Sequence, residues 1–280
     1  VNRNDGGDAM TATDASDAAD RTAVWELPSF ETVPCGARRH DVALCVFVLN
    51  EGERIRTQLR EIRALGLAVD VVIADGGSTD AALDPEFLAQ QGVRALLIKR
   101  GPGALSAQMR MAFAWCLREG YAGIVTIDGN GKDDPRAVPA FVEALRAGAD
   151  HVQGSRYVAG GKGINTPFAR HLGVTLLHAP LISLAAGHRY TDTTNGFRAY
   201  SRRFLLDDRV RPFRDVFVGY ELHYYLAIRA ARLGFRVAEL PVTRRYPAAG
   251  PVPSKIKGWR GNMIILRTLW RAVRGAYNPT

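Results

Sequence analysis

The chain has 280 residues, 47% hydrophobic and 23% charged, enough to bury a substantial core and unlike the composition of a wholly disordered chain. Its longest apolar run, residues 176–186, is short and broken by His178, Pro180 and Ser183, which rules it out as a membrane span of about 20 residues. The net charge of +9 suits polyanionic partners: nucleotide diphosphates, a lipid phosphate, an anionic membrane surface or nucleic acid.

Residues 1–38 are rich in Asp, Ala, Thr and Gly and lack periodicity, so they read as a largely disordered leader with a short anchored piece near residues 25–30. No basic-then-apolar signal peptide opens the sequence, and a cytoplasmic location is expected, with peripheral attachment to the inner membrane face as an option. Residues 41–49 form a first apolar strand and 51–65 a helix. Strands follow at 69–74 and 93–99, a helix at 104–118, and a fourth strand at 124–127 that stops at Asp128. Pro135 opens a helix over about 136–147. Beyond residue 150 the rhythm loosens: strands near 150–154, 197–200 and 235–242, and helical material at 168–186 and 219–233. Strands alternating with helices imply an α/β fold with a mostly parallel sheet covered on both faces. Ligands in such folds bind beyond the carboxyl ends of the strands, where Asp75 and Asp128 fall. Cys35, Cys45 and Cys116 show no pairing or metal spacing and read as free thiols.

The stretch from Asp128 to Pro135 delivers Asp128-x-Asn130 into a polar, glycine-containing turn, able to set oxygens beside a hard cation such as Mg²⁺; a mere strand-end cap is the bland alternative. Asp75, followed by Gly76 and Gly77, is placed to accept hydrogen bonds from a base or ribose, with Ser78 or Asp80 as a helix N-cap. The turn Arg100-Gly101-Pro102-Gly103 precedes a helix, as an anion site or a plain turn. Glu221, at the start of an apolar helix, is either a dipole partner or a site residue.

Taken together, these segments resemble family-2 glycosyltransferases, and within them the dolichyl- or polyprenyl-phosphate sugar synthases. Seven motifs occur in the family's order. Asn50 and Glu51 match the end of "P-x-x-N-E", and residues 74–80 match "D-D-G-S-T-D" with Gly76 in place of the second Asp. Residues 100–104 resemble "R-G-K-G-x-A" with Pro102 in place of Lys, 128–135 "D-A-D-x-Q-H-D-P", 154–161 "G-S-R-Y-x-x-G-G" and 192–200 "D-x-x-S-G-F-R-A-Y". Residues 239–242 with Ser254 and Lys255 match "E-V-P-I … S-K". The resemblance implies a GT-A fold, a Rossmann-like three-layer α/β/α arrangement, with a catalytic domain over 39–250. It implies a nucleotide-sugar donor (UDP or GDP) held by Asn50, Glu51, Asp75, Gly101 and Asp128, and a divalent Mg²⁺ or Mn²⁺ at Asp128 and Asn130. Lys132, Arg156, Arg170, Arg198, Arg244, Arg245 and Lys255 become phosphate binders, and the displacement is expected to invert the anomeric centre. Asn130 in place of the second Asp implies a weaker metal site, assisted by Lys132 or by Asp133 and Asp134.

A polyprenyl phosphate acceptor is already ionised, whereas a glycan hydroxyl wants a carboxylate base, for which Asp192 and Glu221 stand as candidates beside Asp128. In the tail, 251–280, Trp259, Met263, Leu266, Trp270, Val273 and Tyr277 form one helical stripe beside Arg260, Arg267, Arg271 and Arg274. That stripe suits either an anionic membrane interface or packing on the domain or on a second copy, which leaves a homodimer open. Transfer to a cell-envelope glycan and a weakly catalytic nucleotide-sugar-binding protein are the rival readings. Nucleic acid is not expected as a partner, because no basic-aromatic recognition motif is present.

Overall fold

The computed structural model of the chain describes residues 25–248 and 258–279. Its centre is four parallel strands in the order β4 (Val93–Lys99), β3 (Asp70–Asp75), β2 (Val42–Val48) and β5 (Gly123–Asp128). Every residue of β2 and β3 is buried. Because side chains alternate along a strand, Ala43, Cys45 and Phe47 enter one core while Val42, Leu44, Val46 and Val48 enter the other.

The first core is closed by α3 (Leu105–Arg118), α6 (Ala179–Ala186) and α8 (Glu221–Arg232). The second is closed by α1 (Glu53–Ala64), α2 (Pro85–Gln90) and α4 (Val138–Arg146). Three layers result. The sheet continues through β8 (Arg198–Ser201), antiparallel to both neighbours, to β6 (His151–Ser155) and β9 (Val237–Pro241). The short α7 (Arg202–Leu206) follows β8. The three cysteines are free, and the sulfurs of Cys45 and Cys116 lie 3.6 Å apart in the core.

Four local readings are corrected. Residues 25–38 belong to the fold: β1 (Phe30–Pro34) pairs antiparallel with β4, and Trp25 stacks on Phe213 at 4.1 Å. This edge strand alternates half-buried and exposed residues and ends in proline, so it gives no apolar signal. The rest of the supposed leader, 1–24, lies outside the described residues. Neither Ser78 nor Asp80 caps a helix; the next helix starts at Pro85, where Asp84 accepts from the Phe87 amide at 3.0 Å. The helical segment at 168–186 is three pieces: α5 (Phe168–Leu172), a π-helical turn (Gly173–His178) and α6. Pro180 has no N–H to give the ladder, which accounts for the widened turn before it.

The fourth correction positions the site. The strand expected over 235–242 ends at Pro241, and the chain leaves the sheet as β10 (Thr243–Arg245), which pairs in parallel with β7 (Lys162–Ile164). This ribbon lies against the loop after β5: the Asp134 amide donates to the Thr243 carbonyl at 3.1 Å and the Arg245 amide to the Lys132 carbonyl at 2.8 Å. The C-terminal helix α9 (Gly258–Val273) packs on α8 and α6 through Leu269 and Ala272. The expected stripe is divided: Val273 and Tyr277 pack on the first core, while Trp259, Met263 and Trp270 are exposed.

Candidate active site

A cavity of about 1080 Å³ opens at the carboxyl ends of the parallel strands. Its floor is Phe47, Val48 and Leu49 after β2, Gly76 after β3, Lys99 at the end of β4 and Asp128 at the end of β5. Pro167, Ala169 and Arg170, Val174, Leu177, Tyr220, His223 and Tyr224, and Asn262, Ile265 and Leu266 form its walls. Two glutamines in helices hold the floor in place. Gln108 in α3 donates to the carbonyls of Val48 and Ala74. Gln58 in α1 donates to the Asp128 carbonyl and accepts from the Gly131 amide, both at 3.0 Å, so it clamps the loop that follows β5. Neither glutamine is signalled by any motif.

That loop carries the densest charge. Arg244, delivered by β10, bridges two carboxylates: Nη2 donates to Asp128 Oδ2 at 2.7 Å and Nη1 to Asp133 Oδ1 at 2.6 Å. Burial pushes the Asp128 carboxyl up, but Arg244 and Lys132 outweigh it and hold the group below its ordinary range. Lys132 is buried in turn; desolvation and the Arg244 charge bring its ammonium from 10.5 down to about 8, against the pull of Asp128 and Asp133. Three cations flank one ring. Lys132 Nζ and Arg170 Cζ each lie 5.6 Å from the centroid of buried Tyr246, and Arg244 Cζ lies 6.0 Å from it. Tyr246 followed no motif and was missed in the sequence.

The remaining expected residues separate into those at the cavity and those inside the fold. Glu51 lines the cavity and pairs with Arg54 at 2.8 Å. Asn50 ties two loops together, accepting from the Thr79 amide at 2.7 Å. Asp75 is spent on its own turn, accepting from the amides of Gly77 and Ser78 and from the Ser78 hydroxyl. Gly101 sits under Ser29, whose amide a Cβ would meet at 2.7 Å, so it serves packing against the segment before β1.

Arg156 is not available to a phosphate. Its guanidinium forks onto Asp192 at 2.7 and 2.9 Å and donates to the Tyr246 hydroxyl at 3.0 Å, with both partners of the ion pair buried. Arg198 is fully buried and spends its donors on the carbonyls of Asn195, His223 and Thr193. Arg245 points away from Arg244, as strand alternation requires, and is exposed. Lys255 lies outside the described residues.

Both base candidates have partners within the fold. Asp192 is locked to Arg156, and Glu221 accepts from the Gly219 amide at 2.5 Å in the first turn of α8, where the helix dipole favours an acid. The carboxylates that line the cavity among the described residues are Glu51 and Asp128, and an arginine holds each.

The family model "Glycosyl transferase family 2" matches residues 43–207. The chain belongs to that family. It is 31% identical over 196 residues to the undecaprenyl-phosphate mannosyltransferase of Micrococcus luteus, covering 69% of this chain and 79% of that one. It is 30% identical over 197 residues to the polyprenol monophosphomannose synthase of Mycolicibacterium smegmatis, covering 69% and 73%. Among solved structures, glucosyl-3-phosphoglycerate synthase from Mycobacterium tuberculosis, in complex with Mn²⁺, UDP-glucose and phosphoglyceric acid, aligns with a TM-score of 0.57 at 20% identity, over 86% of this chain and 81% of that one. The fold of this glycosyltransferase is GT-A.

The loop after β5 does not provide the ligand set expected of a cation site. Asn130 accepts the Lys132 amide on Oδ1 at 3.2 Å, which turns its Nδ2 toward Asp128 Oδ2 at 3.3 Å; it presents a donor where a ligand oxygen is required. Asp128 Oδ2 also accepts from Arg244. Among the described residues, no group of three or more His, Cys, Asp or Glu side chains is arranged to hold a metal.

Gly196 explains a close approach in this transferase. A Cβ there would sit 2.9 Å from Asp128 Oδ1, and the Gly196 carbonyl accepts from Thr126 at 2.8 Å, so neither side gives way freely. Gly196→Ala is expected to displace the Asp128 carboxylate from Arg244 and lower turnover about 10- to 100-fold, read as kcat.

Proposed function

We propose that this glycosyltransferase moves a sugar from a nucleotide-diphosphate donor, UDP- or GDP-linked, to a polyprenyl phosphate in one inverting displacement. One observation carries the choice of acceptor: the carboxylates lining the cavity, Glu51 and Asp128, are each held by an arginine, and Asp192 and Glu221 are occupied elsewhere. A hydroxyl acceptor would need such a group to take its proton. A phosphate monoester oxygen is already anionic and attacks unaided, while the bond from the anomeric carbon to the diphosphate oxygen breaks and the nucleoside diphosphate leaves. The names of the two relatives, an undecaprenyl-phosphate mannosyltransferase and a polyprenol monophosphomannose synthase, agree with this reading. Within the cavity, Gly76, Glu51 and Gln108 face the donor nucleoside and Lys132 and Arg170 the diphosphate. We place the catalytic domain from β1 to β10.

The side of the cavity formed by Val174, Leu177, Ile265 and Leu266 is apolar, as an isoprenoid chain requires. Outside it, Phe168, Leu176, Leu184, Trp259, Met263 and Trp270 are each more than half exposed, with Arg267, Arg271 and Arg274 exposed on α9. No helix among the described residues is long and apolar enough to cross a membrane, so this surface would rest on an anionic bilayer, not enter it as a span. Trp259→Glu with Trp270→Glu is expected to weaken co-sedimentation with anionic vesicles at least about tenfold, since burying each ring contributes on the order of 1.5–3 kcal/mol. Unchanged co-sedimentation would remove the membrane surface from the proposal. The acceptor itself is tested by supplying UDP- and GDP-hexoses with a short polyprenyl phosphate and with an oligosaccharide. An organic-extractable, acid-labile sugar phosphate supports the reading; a glycosylated oligosaccharide and no lipid product overturns it.

A further inference from the structure

The charge around the loop after β5 is the reverse of what a cation site needs. Asp128, Asp133 and Asp192 face four buried or half-buried cations, Lys132, Arg156, Arg170 and Arg244, gathered around the single ring of Tyr246. Two of the carboxylates share the Arg244 guanidinium at 2.7 and 2.6 Å, and the third is forked by Arg156. Four cations against three carboxylates leave one positive charge over, and Lys132, Arg170 and Arg244 all line the cavity. Cations packed against one another around one ring repel, and an incoming dianion relieves that repulsion.

A divalent ion entering here would meet the amide N–H side of Asn130, a carboxylate already bonded to a guanidinium, and a buried ammonium two residues along the chain. A diphosphate would meet the donors of Lys132, Arg170 and Arg244, beside an Asp128 carboxylate that Arg244 already holds. Lys132 is a compact point charge and Arg170 a planar fork, two forms suited to phosphate oxygens. What a metal supplies elsewhere, neutralisation of charge developing on the leaving diphosphate, these side chains supply from fixed positions.

We propose that this enzyme neutralises its diphosphate leaving group with Lys132 and Arg170, held in place by the Arg244–Asp128–Asp133 bridge, and therefore binds and uses its donor without a divalent cation. The inference rests on the reading of this cavity as a nucleotide-diphosphate-sugar site. It gives Asp128 a positioning role: the carboxylate fixes Arg244 and faces Lys132, and does not touch a metal.

The test is calorimetric titration of the full chain with UDP and with GDP, once in EDTA and once in Mn²⁺, alongside Mn²⁺ electron paramagnetic resonance of the protein–nucleotide mixture. One nucleotide is expected to bind with a Kd that differs less than about threefold between the two conditions, with no protein-bound Mn²⁺ signal beyond that of the nucleotide alone. Lys132→Met is expected to weaken binding in EDTA at least about tenfold. The double variant Asn130→Asp with Lys132→Gln, which exchanges the ammonium for oxygen ligands, is expected to bind the nucleotide only in Mn²⁺ and to show the bound-metal spectrum. Wild-type binding at least tenfold tighter in Mn²⁺ overturns the inference and leaves the donor reading standing. Failure of both nucleotides to bind under either condition overturns the donor reading, and the inference with it.

Discussion

Lys132→Met is expected to lower kcat/KM about 10²- to 10³-fold while leaving the melting temperature unchanged or slightly raised. The loss follows from removing one fixed charge from the proposed diphosphate side of the cavity, where such groups contribute on the order of 3–4 kcal/mol. The stability side has the opposite sign. Lys132 carries its ammonium in a buried position that brings its pKa from 10.5 down to about 8, so the folded state holds that charge less readily than the unfolded chain does. Between about pH 8 and 10.5 the unfolded state binds more protons at this site, and stability rises with pH there; below 8 the full cost of the buried charge is present. Methionine keeps the length and removes that cost. Donor binding follows the ammonium form: affinity should be flat below pH 8 and fall by up to tenfold per unit above it. In the methionine variant this limb should vanish, whereas loss of a purely structural lysine would leave the profile in place.

Arg156→Met is expected to cost about 3–5 kcal/mol of stability and to lower the melting temperature by roughly 10 °C. Its side chain and that of Asp192 are 1% and 0% exposed, so water screens nothing, and the substitution leaves a buried carboxylate without its fork. Thr194, which both accepts from Arg156 and donates to Asp192, keeps only a neutral bond to the stranded acid. Arg156→Met combined with Asp192→Leu should regain most of the loss, because apolar pairs of similar volume replace buried ion pairs at little cost. Calorimetry of the two single variants and the double variant gives the coupling directly. A direct phosphate role for Arg156 would instead show as weakened substrate binding with the melting temperature unchanged.

Strands β2 to β5, the turns after Asp75 and Asp128, and the α/β class were legible because a strand buried on both faces needs a continuous apolar run, and few other structures do. Strand β1 was hidden because an edge strand with one solvated face carries no such run. Asp192 and Glu221 looked like bases because a motif shows which residues are acidic, not which hydrogen bonds they already make. Arg156 and Arg198 looked like phosphate binders for the same reason: a sequence counts guanidinium groups, and only packing shows that both are enclosed in the fold. Tyr246, Gln58 and Gln108 left no mark, since the glutamines act on loops 34 to 73 positions away and Tyr246 meets Lys132 across 114 positions.

What the sequence determined by itself is the layered fold, the family and the end of the sheet at which chemistry occurs, all of which follow from local periodicity and from short motifs contiguous in the chain. What only the tertiary structure decided is the charge state of the site. Arg244 lies 116 residues from Asp128, and a proline that ends β9 sends it out of the sheet and across the loop to bond that carboxylate. Electrostatic energy depends on distances in space, and no spacing along the chain reports them.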